Sequence, residues 1–232
     1  MPPAEAFTHL AEVGSTNDWL LALGHTLPDG HWVRADRQTA GRGRRGRAWH
    51  DGAGNLMASV LVRSQGPVQQ LSFVAAVALR DAIAPVPVQL KWPNDLLLEG
   101  RKVSGILLER TGDALVIGFG VNLASAPQAV DRPAAAIGGD VATLFEALRQ
   151  HFARWRAIWE ANGFAPVRTA WLAAANGLGQ GIEVRLGHEV LQGRFAGLDD
   201  EGALLLDLPS GARRPIHAGE VFALEAGHAA GD

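Results

Sequence analysis

The sequence predicts an α+β protein that ends in a small β-barrel. Three observations carry this. Between Val88 and Leu123, apolar strand-like runs follow one another with only tight turns between them. Stretches with helical spacing or capping signals lie on either side of that section. Beyond Asn176-Gly177 the pattern changes to short apolar runs separated by glycine, the mark of a small barrel.

Taken in order, Ser15-Thr16-Asn17-Asp18 opens a helix that Gly24 stops, with Ser15 and Asp18 spaced as a capping box. Residues 31–35 form a strand, 55–62 a second strand, and 68–84 an apolar helix closed by Pro85 and Pro87. Residues 88–92 alternate and run into Pro93-Asn94-Asp95, where the proline interrupts a regular ladder. Residues 96–99 and 102–110 flank a hairpin turn at Gly100-Arg101, and 114–123 form a buried strand carrying Gly118 and Gly120. Two glycines on one strand face mark either dense packing or the close approach of a ligand. An Ala/Pro/Gly-rich connection at 124–140 is expected to be mobile. Helices at 141–162 and 166–175 follow, the first with Leu144, Leu148, Phe152, Trp155 and Trp159 on one apolar face. Strands at 182–186, 190–198, 203–208, 213–216 and 221–224 complete the chain.

The feature least explained by folding is Gly41-Arg42-Gly43-Arg44-Arg45-Gly46-Arg47-Ala48-Trp49. Glycine lets backbone approach a ligand closely, and guanidinium groups fork toward carboxylate or phosphate oxygens. Between two strands, the segment reads as an anion-binding loop, or as a solvated basic loop without a ligand. The formal net charge is −3, and the basic charge is concentrated in this loop. Binding a long polyanion usually needs a whole basic face, so a small anion or nucleotide fits better. Cysteine is absent, which excludes disulfides, thiolate metal sites and a cysteine nucleophile. The start at Met1 lacks the basic and apolar regions of a signal peptide, and no apolar run is long enough for a membrane span. A cytoplasmic protein is expected.

Five ordered blocks carry a resemblance: Ser15-Thr16-Asn17, Gln38 through Trp49, Lys91-Trp92-Pro93-Asn94-Asp95, Lys102 to Leu107, and Gly118-Phe119-Gly120-Val121-Asn122. Together they resemble the catalytic domain of biotin–protein ligases. Gly197 to Leu206 is similar to the SH3-like domain that ends those enzymes. The resemblance implies a mixed-sheet, class II synthetase-like catalytic domain over 1–178 and an SH3-like domain over 179–232. It implies ATP and biotin as substrates, Mg²⁺ with the nucleotide, and a biotin carboxyl carrier domain as the acceptor. Biotin's carboxylate attacks the α-phosphorus of ATP, and a carrier lysine then attacks the biotinyl-5′-adenylate.

Lys102, Arg44 and Asp95 are the catalytic residues that the resemblance implies. Biotin is expected to contact Ser15, Thr16, Asn17, Gln38, Gly41, Arg42, Gly43, Arg44, Lys102, Gly105, Gly118 and Gly120. The nucleotide is expected to contact Arg42, Arg44, Trp49, Lys91, Asn94, Asp95 and Asn122. Asp95 is left between orienting metal-bound phosphate and accepting the lysine proton. A buried urea needs donors for its oxygen and acceptors for its N–H groups, and the hydroxyls and amide of Ser15, Thr16 and Gln38 supply them. Arg45 and Arg47 are assigned to solvent. Mutual repulsion among the arginines predicts a loop that is poorly ordered until ligand arrives.

Because the ligase-like segment begins near residue 8, no winged helix is expected, hence no DNA partner. A homodimer built by sheet extension is possible. Residues 123–127 and 134–136 depart from the family pattern, so adenine contacts there stay open. The alternatives are a lipoate ligase or octanoyl transferase, and a non-catalytic binding module that uses the arginine loop.

Overall fold

The computed structural model describes residues 7–49, 52–64, 66–127 and 133–224. The Met1 start, the middle of the 124–140 connection and residues 225–232 lie outside the described residues. A seven-stranded sheet runs β1 (Phe7–Val13), β2 (Trp32–Gln38), β3 (Leu56–Val62), β7 (Ala114–Val121), β6 (Arg101–Thr111), β5 (Asp95–Leu98), β4 (Gln89–Lys91) in spatial order. Strand β1 pairs parallel with β2 and every other pair is antiparallel, so the sheet is mixed. The parallel pair needs a crossover, which α1 (Thr16–Leu23) supplies, capped by Ser15 Oγ accepting from Asp18 N.

Strand β1 was not expected. It is an edge strand with no buried residue, and its sequence FTHLAEV does not alternate apolar and polar residues. The β5–β6 turn falls on Glu99-Gly100, one residue earlier than expected. Both residues have positive φ (50° and 76°), which suits a two-residue hairpin.

The two faces of the sheet are covered differently. On one, α2 (Leu71–Ile83), α3 (Val141–Asn162) and α4 (Phe164–Leu172) form the main core. Helix α2 is buried on most sides because α3 and α4 pack over it, which explains its nearly continuous apolar sequence. Trp32 meets Phe145 and Phe152 edge-on, with ring centroids 5.8 and 5.6 Å away. On the opposite face Leu20 of α1 packs on Val33, Leu61, Ala114 and Val116 in a smaller cluster. The rest of that face is left for the cavity.

Strands β8 (Gly181–Arg185), β9 (Val190–Leu198), β10 (Leu204–Asp207), β11 (Arg213–Ile216) and β12 (Glu220–Ala223) form a five-stranded antiparallel sheet, ordered β11-β10-β9-β8-β12. It docks on the helical layer. Trp171 meets Phe195 with ring centroids 6.4 Å apart, and Trp92 Nε1 donates to Gly202 O at 3.2 Å. Gly202 sits at φ +91° against Phe73, where a side chain would both strain the backbone and strike the ring.

Candidate active site

Register builds the floor. Lys91 lies opposite Asp95, Asp95 opposite Gly105, Gly105 opposite Gly120, and Gly120 opposite Met57, in one row across five strands. The next row sets Leu107, Gly118, Ser59 and Val33 side by side. Since alternate residues share a face, Gly105, Gly118 and Gly120 open a trough in the face opposite α2. A Cβ on Gly118 would collide with Asn17 Oδ1, and one on Gly120 would collide with the Trp49 indole. A Cβ on Gly105 would come within 3.1 Å of Lys102 Nζ. The resulting cavity has a volume of about 380 Å³.

One end of the cavity is neutral and polar. Gln38 Oε1 accepts from Thr16 N at 2.7 Å and Thr16 Oγ1 at 2.9 Å. Ser59 Oγ lies 2.7 Å from Thr16 Oγ1 and 2.6 Å from Asn17 Oδ1. All but Gln38 are buried. The other end is charged. Lys102 Nζ donates to Asp95 Oδ1 at 2.6 Å and stands 5.9 Å from the Trp49 ring centroid. Arg44 Nη1 donates to Asn94 Oδ1 at 3.3 Å, and Asn94 Nδ2 donates to Ile106 O at 2.6 Å. Burial, and then the neighbouring charge of Arg45, lower the pKa of Arg44. A guanidinium disfavoured in this way gains most from an incoming anion. Lys91 Nζ stands 5.6 Å from the Phe222 ring centroid.

The arginine loop is closed on itself. Gly43 N donates to Arg47 O at 2.7 Å and Trp49 N to Gly41 O at 2.9 Å. A single 3₁₀ turn spans Arg44–Gly46, with Arg45 at φ 57°. The repulsion expected among its arginines is met by carboxylates from three elements. Arg42 pairs with Asp18 of α1 and Glu109 of β6, while Arg45 and Arg47 reach Glu220 of β12 at 3.4 and 2.7 Å. Arg47 and Glu220 also line the cavity, so Arg47 is not simply a solvent-facing arginine.

Every sequence-predicted site residue lines this cavity except Gly41. Gly41 lies at the neck of the loop, where a Cβ would approach Gln38 Nε2 at 3.0 Å and Trp49 O at 3.2 Å. Its smallness serves packing between loop and floor. Arg42 was expected to face biotin and phosphate, but Asp18 and Glu109 hold its guanidinium. Asn122 was expected to read adenine or phosphate. It is buried, and its Nδ2 donates to Ala135 O at 3.2 Å and Lys102 O at 3.4 Å. It thereby ties residues 133–137 against the start of β6, where Lys102 N donates to Pro133 O at 2.8 Å.

Sequence reasoning missed Ser59, Glu109 and Glu220. Ser59 carried a faint signal, a lone hydroxyl in an otherwise apolar strand. The other two join the site from 67 and 173 residues away in sequence, measured from their arginine partners. Among the described residues, no group of three or more potential metal ligands occurs.

Residues 11–122 match the family model described as the biotin/lipoate A/B protein ligase family, and residues 177–224 match the biotin protein ligase C-terminal domain. The chain is 45% identical to the biotin–[acetyl-CoA-carboxylase] ligase of Paracoccus denitrificans, over 92% of this chain and 98% of that one. It is similar to the biotin protein ligase of Aquifex aeolicus in complex with biotin and ATP (TM-score 0.85, 27% identity, covering 94% of this chain and 98% of that one). It is also similar to the biotin protein ligase of Leishmania major in complex with biotinyl-5-AMP (TM-score 0.69, 27% identity, covering 94% and 100%). Strand register, glycine floor and sequence thus agree: this chain belongs to the biotin protein ligase family.

Proposed function

We propose that the protein attaches biotin to a lysine of a biotin carboxyl carrier domain through biotinyl-5′-AMP, and that the cavity described above is where both steps occur. The observation that carries this reading is the polarity of the trough. A neutral donor–acceptor cluster (Thr16, Asn17, Gln38, Ser59) lies at one end and the Lys102–Asp95 and Arg44–Asn94 pairs lie at the other. A ligand with a urea at one end and a carboxylate at the other would lie along it.

In the first step a carboxylate oxygen bonds to the α-phosphorus and pyrophosphate leaves with the bonding electrons. Two anions must be held together, so charge neutralisation and alignment supply most of the acceleration. Lys102 is placed to turn from Asp95 to the reacting oxygens, and Arg44 to hold the phosphate. Magnesium entering with the nucleotide would neutralise phosphate charge. Such an ion commonly uses only one or two protein carboxylates, and Asp95 and Glu220 line the cavity. In the second step the lysine amine attacks the carbonyl carbon and AMP leaves. A free lysine with a pKa of about 10.4 is only roughly 0.04% neutral at pH 7. Asp95, released by Lys102, would accept the proton as the amine attacks.

The remaining assignments follow the same reasoning. Three of the loop's four arginines, Arg42, Arg45 and Arg47, are paired with Asp18, Glu109 and Glu220 within the chain, and this favours a protein without a DNA partner. Among the described residues no helix is long and apolar enough to cross a membrane, in keeping with a cytoplasmic enzyme. Of the two edge strands, β4 already pairs through Leu90 with Ala174 and Asn176, so the outer edge of β1 is where a second copy would extend the sheet. Pyrophosphate release with biotin or lipoate, followed by label transfer to an apo-carrier domain, tests the reading. ATP- and biotin-dependent release followed by labelled carrier is expected. Adenylate formation with lipoate alone would overturn it, and no release with either acid would favour a binding module.

A further inference from the structure

Glu109 is the point at which the floor of the cavity and the arginine loop meet. It lies on β6, facing the trough side with Gly105 and Leu107. Its Oε2 accepts from Asn17 Nδ2 at 2.7 Å, and its Oε1 accepts from Arg42 Nε at 3.1 Å and Nη2 at 3.0 Å. A carboxylate offers only acceptors. Glu109 therefore turns the Asn17 amide so that Nδ2 points toward the carboxylate and Oδ1 toward Ser59 and Gly118. The same carboxylate grips Arg42, which pairs in a β-bridge with Ala48, the residue before Trp49. Asp18 holds the outer side of that guanidinium and is about half exposed, whereas Glu109 is the inner and better shielded partner, its side chain 25% exposed.

We propose that Glu109 is a positioning residue of the ligase: it orients Asn17 in the floor and, through Arg42, fixes the arm of the loop that carries Trp49. Retention of biotinyl-adenylate then depends on a residue that does not itself touch the reacting atoms. The inference rests on the ligase reading, because it assigns Glu109 a part in holding that intermediate.

The test follows the release of preformed, radiolabelled biotinyl-adenylate from the full-length protein in a chase with unlabelled biotin. Glu109→Gln keeps the shape but leaves one acceptor oxygen and puts an NH2 in place of the other, so it can accept from Asn17 or from Arg42 but not from both. Release is expected to be about tenfold faster. Glu109→Asp keeps the charge but is one methylene shorter, and release should be intermediate. Arg42→Gln is expected to speed release as well. The double variant Arg42→Gln/Glu109→Gln should be slower than the product of the two separate effects predicts, because the residues act as one unit. A merely structural role would lower the melting temperature while leaving the release rate at the wild-type value. Wild-type release from Glu109→Gln, or multiplicative effects in the double variant, overturns the proposal. A wild-type protein that forms no adenylate overturns the ligase reading instead.

Discussion

On β7, Ile117 and Phe119 point into the layer formed by α2 and α3, while Gly118 and Gly120 point the opposite way into the cavity. The same strands thus build two unlike surfaces from alternate residues. The helical face is complete, since Ile117 is fully buried and Phe119 lies within 5.6 Å of the Trp32 ring centroid. On the cavity face the side chains are missing in two adjacent rows, and the polar groups that remain bind one another. A ligand completes that face. Stability is therefore concentrated on one side of the sheet and chemistry on the other, and substitutions should divide accordingly.

The largest effect is expected at the charged end. Lys102→Ala removes the ammonium beside Asp95 and should lower biotin-dependent pyrophosphate release by about 10²–10³-fold, in the range that loss of one preorganised donor produces. Because the Lys102 side chain is 30% exposed, the melting temperature should change little. Near-normal pyrophosphate release would remove Lys102 from the mechanism.

Ile117 and Gly118 sharpen the comparison, as neighbours on one strand that face opposite layers. Ile117→Ala should cost about 2–5 kcal/mol of stability by opening a cavity in the core, with the KM for biotin nearly unchanged. Gly118→Ala places a methyl group against Asn17. It should raise the KM for biotin by an order of magnitude or more, with a smaller loss of stability. Thermal denaturation and steady-state kinetics on both variants decide it. Equal losses of stability and affinity in both would end the division between the faces.

Arg44 and Arg42 separate two roles within the loop. Arg44 is held by a single long hydrogen bond to a neutral amide, whereas Arg42 is clamped by two carboxylates that raise its pKa. Arg44 is thus the cation available to an incoming phosphate. Arg44→Ala should release biotinyl-adenylate roughly tenfold faster, the loss of about one charge-assisted hydrogen bond. Unchanged release, measured by the same radiolabel chase, would argue against Arg44 as a clamp.

The legible parts of the site were those whose chemistry is contiguous in sequence. The glycine–arginine loop, Lys91 to Asp95 and the Gly118/Gly120 pair each announce themselves within a few residues. The sheet then brings them together by register, which the sequence does not display. Glu109 and Glu220 were invisible because an acidic residue on a strand reads as solvent-facing until its partner is known. The partners of Arg42 were hidden for the same reason: charge counting in the loop cannot reveal Asp18 and Glu109 beside it. Strand β1 was missed because the apolar residues of FTHLAEV do not recur at every second position. The helices were legible since burial of an α3 stripe repeats within the helix itself.

The smallest predicted effect concerns the α1 side of the sheet beyond the trough, where the packing is dense but includes an ionisable group. His31 is 7% exposed, its Nε2 lies 3.0 Å from Thr8 Oγ1, and its Nδ1 has no hydrogen-bond partner. Burial lowers its pKa below the ordinary value of 6.5. The folded state therefore holds fewer protons than the unfolded chain between that lowered pKa and 6.5. In this window stability rises with pH. The contribution is complete above about pH 6.5 and is lost as pH falls through the unfolded value toward the folded one. From pH 7 to 5, this group should therefore contribute to a fall in melting temperature. His31→Gln cannot titrate, so its melting temperature should fall less over the same interval. Parallel curves for the two proteins would mean that the imidazole is already hydrated in the fold, and that this corner of the sheet is less tightly closed than its burial indicates.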